Sequence, residues 1–392
     1  MSDLYVRDGD LKEIQVSAPL LAVLDRFQEI EQAIRQVLVS GQYLLGKQLQ
    51  AFEEEFCSWL GIEHAIGVAN GTDALELALR ALDLPAGSRI AIPTHTASAT
   101  AAAVSRAGLV PMCVDISPET WTIDTEALER LCEHQATRQP IRGVIAVHLY
   151  GAPCDMDEIR RIASRFDVRM VEDCAQSHGA KLRGRPTGTL GDVAAFSCYP
   201  TKNLAALGDA GIVVTSSHQL ATRVRELRQY GWRTRYVSDE VGMNSRMDEI
   251  QAAALRIQLQ HLEQDNRKRR ANAERYLSAF RDLPLEFQST SYPIEHCYHQ
   301  FVFLTPDRDR LREHLLQESI QTSILYPTPI HLQPAYRRKS DCKIDAESSP
   351  DLFAVAERVC QRLLCLPVHP FLTEEQRNRI MQSIREFYAR HS

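Results

Sequence analysis

The sequence of 392 residues is short of the features that mark a specialised class of protein. No apolar run approaches the ~20 residues that a membrane-crossing helix needs. The opening stretch, MSDLYVRDGDLKEIQ, has no apolar core of the kind a secretory signal carries. Neither charge dominates, with 45 Lys+Arg against 51 Asp+Glu and a formal net charge of −6. Nucleic-acid binders carry a basic footprint, so neither nucleic acid nor membrane is the expected partner. None of the ten cysteines forms a CxxC pair. Several lie in apolar stretches, such as Cys113 in VPMCVDI and Cys198 in AAFSCYP, where a free thiol behaves as a small buried hydrophobe. The expectation is a reducing, cytoplasmic setting and no metal site. Internal repeats, low-complexity segments and a GxGxxG fingerprint after a strand are also missing, which removes a dinucleotide fold of that type.

What is present is an ordinary globular balance, 44% hydrophobic and 24% charged, which excludes a disordered tail, a collagen or a disulfide-stapled miniprotein. The length suits two or three domains, or one large domain with a smaller partner. Residues 1–60 read as helices and loops, with Phe27, Ile30, Ile34 and Leu38 at helical spacing. From about 64 to 230, apolar runs such as HAIGVA, RIAIP, GVIAVHLYG, VRMVEDCA, DVAAFSC and GIVVTSS alternate with helical stretches. Runs that are apolar throughout fit strands buried on both faces, and their alternation with helices predicts a mostly parallel sheet between helical layers. A long helix follows from Ser245 to about Phe280, with Met247, Ile250, Ala254 and Ile257 expected along one face. Beyond it, HQFVFL and SILYP read as strands, and RDRLREHLLQES, FAVAERVCQRLLCLP and TEEQRNRIMQSIREF as helices. The polar segment RRKSDCKIDAESSPD reads as a loop. The resulting division is 1–250 for a large domain and 251–392 for a linking helix with a smaller C-terminal α/β domain.

Gly41-Gln-Tyr-Leu-Leu-Gly46-Lys47 matches GxxxxGK, but Gln48 follows where a phosphate-binding loop needs Ser or Thr, and an amphipathic helix precedes it. Three other segments carry chemistry. In Val68-Ala69-Asn70-Gly71-Thr72-Asp73 a strand turns on glycine into a helix, whose exposed N–H groups suit a phosphate. An ordinary cap at Thr72 or Asp73 is the competing reading. Asp173, in VEDCAQSHG, ends an apolar strand, the edge at which open α/β sheets bind ligands. A metal with His178 as a second ligand lacks a third ligand nearby, and a structural cap remains an alternative. Lys202, in FSCYPTKNL, lies just past a buried strand, where a desolvated amine loses its proton and becomes a nucleophile. A phosphate cradle, a strand-end acid and a nucleophilic lysine are the parts that pyridoxal phosphate (PLP) requires.

With those segments in order, the chain resembles the DegT/DnrJ/StrS family of PLP-dependent nucleotide-sugar aminotransferases, from about Gly41 to Pro370. The motifs that carry the resemblance are NGTDAL, HLYGAPCDMDEI, VEDCAQSHGA, FSCYPTKNLAALGDAG, GMNSRMDEIQAA and YPTPIHLQPAY. The resemblance implies the fold type I aminotransferase architecture. It also implies roles: Lys202 as the Schiff-base lysine and proton shuttle, Asp173 on the pyridine nitrogen, and Gln176 near the ring hydroxyl. Gly71, Thr72, Asp73 and Ser197 would bind the cofactor phosphate, and Asn244 the phosphate of the neighbouring subunit, giving a homodimer with shared sites. Where the family has an aromatic to stack on the ring, this chain has Ala97, which leaves His95 as the substitute. Tyr326 and His331 would line the sugar-nucleotide site. The implied reaction moves an amino group from glutamate to a nucleotide-linked keto-deoxysugar, a dTDP-linked 3-keto-6-deoxyhexose being favoured over a 4-keto sugar. The rivals are a sugar dehydratase, which has histidine at the position of Lys202, an amino-acid aminotransferase, and a non-catalytic regulator on the same fold.

Overall fold

The computed structural model describes residues 13–136, 139–337 and 352–391. Most of the polar loop expected at 337–351 therefore lies outside the described residues. Seven strands form the main sheet: β1 (His64–Val68), β2 (Arg89–Pro93), β3 (Val110–Val114), β4 (Ile141–Val147), β5 (Arg169–Asp173), β6 (Val193–Ser197) and β7 (Gly211–Thr215). Their order is β1-β7-β6-β5-β4-β2-β3. The neighbours from β6 to β3 pair in parallel, and only β7 runs against the rest, antiparallel to both β1 and β6. The chain is thus a mixed α/β protein with a mostly parallel sheet between helices, as the apolar runs predicted.

Alternation along the strands divides the core. Ile145, Val147 and Val213 pack on the side of α4 (Gly71–Ala81), α5 (Ser98–Arg106) and α8 (His218–Leu227). Ile212 and Val214 face α3 (Lys47–Leu60) and α9 (Glu249–Ala279), while Val144 and Ala146 face α6 (Thr125–Gln135) and α7 (Met156–Phe166). A smaller antiparallel sheet of β8 (Glu286–Phe287), β9 (Phe301–Leu304) and β10 (Leu363–Leu366) follows α9. Its Phe301, Phe303, Leu364 and Leu366 pack with Tyr276 and Phe280, with α10 (Arg308–Gln317) and with α13 (Glu374–His391). Its other face, Val302, Leu304, Leu363 and Cys365, joins the core of the main sheet. Ile14, near the N-terminus, is buried in this C-terminal cluster.

Four local expectations change. The end of FAVAERVCQRLLCLP is not helical: α12 (Ala354–Arg362) stops, and LLCL becomes β10 because it pairs with Phe301–Leu304. SILYP is not a strand but makes one bridge, Ser323 to Cys365. In α2 (Phe27–Ser40) the buried residues are Ile30 and Val37, whereas Phe27 and Leu38 are exposed. In α9, Ile250 and Ile257 are only half-buried. The core contact runs instead through Ala252, Leu255, Leu259 and Leu262, because α9 is wedged between α2, α3 and the sheet.

Candidate active site

The carboxyl ends of the parallel strands converge on a cavity of about 500 Å³. The segments at the ends of β1, β2, β4, β5 and β6 deliver most of the wall. After β1, Asn70 caps α4 through its own side chain, accepting the Asp73 N–H at 2.8 Å. Neither Thr72 nor Asp73 is the cap, so Gly71 and Thr72 are left at the cavity wall in the first turn. Glycine is required at 71, because a Cβ there would meet the Cβ of Ser197 at 2.5 Å. Ser197, the last residue of β6, lines the same end of the cavity.

Asp173 ends β5 and is 5% exposed. Its Oδ2 accepts the Thr100 hydroxyl at 3.0 Å, and its Oδ1 accepts the Ala175 N–H at 3.1 Å. Burial pushes its carboxyl above the usual range, against the pull of those two donors and of Lys202. Lys202 lies in the loop between β6 and β7, closed by Cys198 N–H to Ala210 O at 2.8 Å. Asn203 ties that loop to α9, donating to Asn266 Oδ1 at 2.8 Å. Burial lowers the Lys202 ammonium to about 8, although the Asp173 charge opposes it. Gln176 and Tyr326 complete the wall, joined by a 3.1 Å hydrogen bond from Gln176 Nε2 to the Tyr326 hydroxyl. Burial and the charge of Asp173 raise the Tyr326 phenol above its usual range.

The structure thus brings Gly71, Thr72, Asp173, Gln176, Ser197, Lys202 and Tyr326 to one cavity, and leaves four expected residues outside its lining. Asp73 turns its carboxylate to Arg106 at 3.1 Å and to the Ser245 hydroxyl at 2.8 Å, and its N–H belongs to the cap. It braces the helix start instead of holding an anion with its own groups. His95 does not replace the missing aromatic. It is fully buried, with Nε2 2.6 Å from the Tyr150 hydroxyl and Nδ1 3.2 Å from Cys360 Sγ, while Ala97 faces the cavity. His331 has both nitrogens occupied, by Thr94 Oγ1 at 2.6 Å and Glu357 at 3.1 Å, and stacks on Phe353 at 4.2 Å. It pins its segment to α12 and not to the cavity. Asn244 is exposed and bridged to Gln229.

Other polar groups that read as ligands are spent within the fold. The GxxxxGK segment ends at the start of α3, where the Glu249 carboxylate accepts the N–H groups of Gly46, Gln48 and Leu49. A protein carboxylate therefore fills that helix N-terminus. His178 is held by packing instead: it is buried against the Phe196 ring at 5.2 Å, and neither ring nitrogen has a hydrogen-bond partner among the described residues. His148, Glu172 and Cys174 converge, but Cys154 N–H points at His148 Nδ1 at 3.0 Å, which keeps that nitrogen bare and the ring neutral. His148 Nε2 meets Glu172, whose oxygens also receive the N–H groups of Gly188, Leu190 and Gly191 at 2.7–2.8 Å. That cluster braces the edge beside Asp173.

Sequence reading missed Thr100, Tyr150 and Arg106. Thr100 carried one usable signal, a hydroxyl in the first turn of a helix that follows a strand. Tyr150 stands in the HLYGAPCDMDEI motif but had no role assigned, and Arg106 carried no signal; both reach the site through contacts distant in the chain.

A model of the DegT/DnrJ/EryC1/StrS aminotransferase family matches residues 25–385. Over 364 residues the chain is 42% identical to the dTDP-3-amino-3,4,6-trideoxy-α-D-glucose transaminase of Streptomyces venezuelae, covering 92% of this chain and 93% of that protein. It is 37% identical over 363 residues to the dTDP-3-amino-3,6-dideoxy-α-D-galactopyranose transaminase of Aneurinibacillus thermoaerophilus, covering 92% and 96%. The crystal structure of S. venezuelae DesV in complex with a ketimine intermediate is similar with a TM-score of 0.89 at 41% identity, over 96% of this chain and 98% of that one. With the sheet order, the cavity at its carboxyl edge and a match along most of its length in agreement, the chain belongs to the DegT/DnrJ/EryC1/StrS aminotransferase family.

Proposed function

We propose that the protein is a PLP-dependent aminotransferase that moves an amino group from L-glutamate to a dTDP-linked 3-keto-6-deoxyhexose. The observation that carries this reading is Lys202 and Asp173 lining one cavity, Asp173 buried and Lys202 half-buried. The residues fit the cofactor. Asp173 is a carboxylate taken out of water with two neutral donors on it, so it favours a cation beside it, as a protonated pyridine would supply. The first turn of α4, with Gly71 and Thr72 against Ser197, offers a phosphate the positive end of a helix. When bound, PLP supplies a carbonyl carbon that condenses with amines and a ring that draws electrons.

The chain's own groups do the rest. Lys202, with its ammonium at about 8, is partly neutral near physiological pH and can attack as an amine or carry a proton. Asp173 holds a positive charge in place. Gln176 and Tyr326 present hydrogen-bonding groups to an oxygen in the cavity. The dTDP-linked 3-keto substrate follows from the names of the two relatives and from the YPTPIHLQPAY and HLYG segments.

We further read the active form as a homodimer, with Asn244 reaching the neighbouring subunit's cofactor phosphate. Supporting this, Asn244 lies outside its own chain's cavity, and Tyr236, Val237 and Val241 on the same segment are apolar and exposed. The division into units at 1–250 and 251–392 places α9 as the link.

The test is a panel of 3-keto and 4-keto nucleotide sugars incubated with L-glutamate and the PLP-loaded protein, read by mass spectrometry and product NMR. Amination at C3 of a dTDP-linked sugar supports the reading. Amination at C4 alone, or none across the panel, overturns it. Borohydride reduction followed by peptide mapping should put the cofactor on Lys202.

A further inference from the structure

One residue outside the cavity lining, Tyr150, meets the Gln176–Tyr326 pair from both ends. Tyr150 is fully buried and follows β4 with a φ of +61°, a left-handed backbone that strains a tyrosine. The next residue, Gly151, has a φ of +103°, and a Cβ on it would strike Cys297 Sγ at 2.7 Å. That turn therefore accepts little else at 151, and it fixes where Tyr150 sits. The Tyr150 N–H donates to Gln176 Oε1 at 2.7 Å. Its hydroxyl donates to the carbonyl of Leu325, the residue just before Tyr326.

The donor order through this circuit is fixed by elimination. A backbone N–H can only donate, so the oxygen of the Gln176 amide must face Tyr150. The amide nitrogen then faces the Tyr326 hydroxyl and donates to it. The Tyr326 oxygen accepts, which leaves its own O–H proton for an acceptor in the cavity. On the far side, the Tyr150 hydroxyl has given its proton to Leu325, so it accepts from His95 Nε2. His95 Nδ1 then carries no proton and accepts from the Cys360 thiol. Burial lowers His95 to about 4, in keeping with this neutral tautomer.

We infer that Tyr150, held by His95, is a positioning residue that sets Tyr326 as a hydrogen-bond donor into the cavity. It fixes the amide that faces the Tyr326 hydroxyl and the carbonyl at the start of the Tyr326 residue, so both the ring and its proton are oriented from one hub. The kinetic consequence rests on the aminotransferase reading, whereas the geometric one does not.

The test is a double-mutant cycle on the PLP-loaded protein. Tyr150→Phe keeps the N–H to Gln176 and removes only the hydroxyl. Tyr326→Phe removes the donor itself. Each is expected to slow the single-turnover absorbance change with L-glutamate about tenfold, the scale of one lost hydrogen bond at a reacting group. The double variant should be no slower than Tyr326→Phe alone, because Tyr150 acts through Tyr326. Losses that multiply would overturn the inference and leave Tyr150 a packing residue. His95→Gln, which can still donate, should retain the rate, and His95→Leu should match Tyr150→Phe. Should Tyr150→Phe fold poorly, judged by its melting temperature, His95→Leu replaces it in the cycle. A crystal structure of Tyr150→Phe, or of that replacement, gives a readout independent of activity: the Tyr326 hydroxyl should leave hydrogen-bond reach of Gln176 Nε2. A ring left in place would sink the inference even if the kinetics fall. If the wild-type protein shows no response to glutamate, the functional reading fails, and the crystal structure still decides the positioning role.

Discussion

Gly71 and Ser197 approach so closely that a methyl group on the glycine would lie 2.5 Å from the Cβ of the serine. The start of α4 and the end of β6 therefore touch at the wall where the phosphate is expected. Gly71→Ala forces them apart, an overpacking that costs roughly 1–3 kcal/mol. The variant should bind PLP at least about tenfold more weakly, measured by absorbance titration of the cofactor-free protein. Unchanged affinity would place the phosphate elsewhere.

Lys202 gives the cofactor-free protein a stability that rises with alkalinity. Its ammonium is held at about 8 in the fold against an ordinary 10.5. Between those values the unfolded chain binds more protons than the folded one, so stability increases with pH across that window. Below about 8 the cost of burying the charge is fully present, and above 10.5 it is gone. Lys202→Met should lack this rise. Urea unfolding of both proteins at several pH values should show the difference closing by up to about 3 kcal/mol.

Asp173→Asn keeps the shape of the side chain and loses its charge. The variant should still take up PLP, yet turn over about two to three orders of magnitude more slowly, because an amide does not hold a cation on the ring nitrogen. Steady-state rates at saturating glutamate check this. A rate near wild type would remove the electron-sink role from Asp173.

Glu172→Gln tests the brace beside the site. Glu172 Oε1 receives two backbone N–H groups, while Oε2 receives one and His148 Nε2. Whichever way the amide turns, its NH2 meets two donors. A loss of about 2–4 kcal/mol in unfolding free energy is expected, the range for a broken buried polar network. Chemical denaturation measures it directly.

Asn244 can be tested by complementation. Lys202→Ala and Asn244→Asp should each be nearly inactive. Refolded together, they should recover activity on the proposed shared-site dimer, in which one site of a mixed dimer carries both wild-type residues. Proven heterodimers without activity would mean that Asn244 serves its own chain.

The sequence by itself determined the main sheet and pointed to several of the residues that line one cavity. Continuous apolar runs become strands only when both faces are covered, so the seven strands and their helical layers follow from pattern alone. Lys202, Asp173 and Gly71 were legible because each stands directly past or at the end of such a run, where chain order and site geometry coincide. The tertiary structure decided everything that depends on which face a side chain takes. His95 and His331 sit in legible motifs, but hydrogen-bond partners far along the chain settled which way they face: Tyr150 and Cys360 for one, Thr94 and Glu357 for the other. LLCL became a strand because Phe301–Leu304 lay beside it, and no local periodicity encodes a partner about 60 residues away. The protonation of Lys202 was likewise beyond the sequence, since its amine owes its low value to burial by the folded chain.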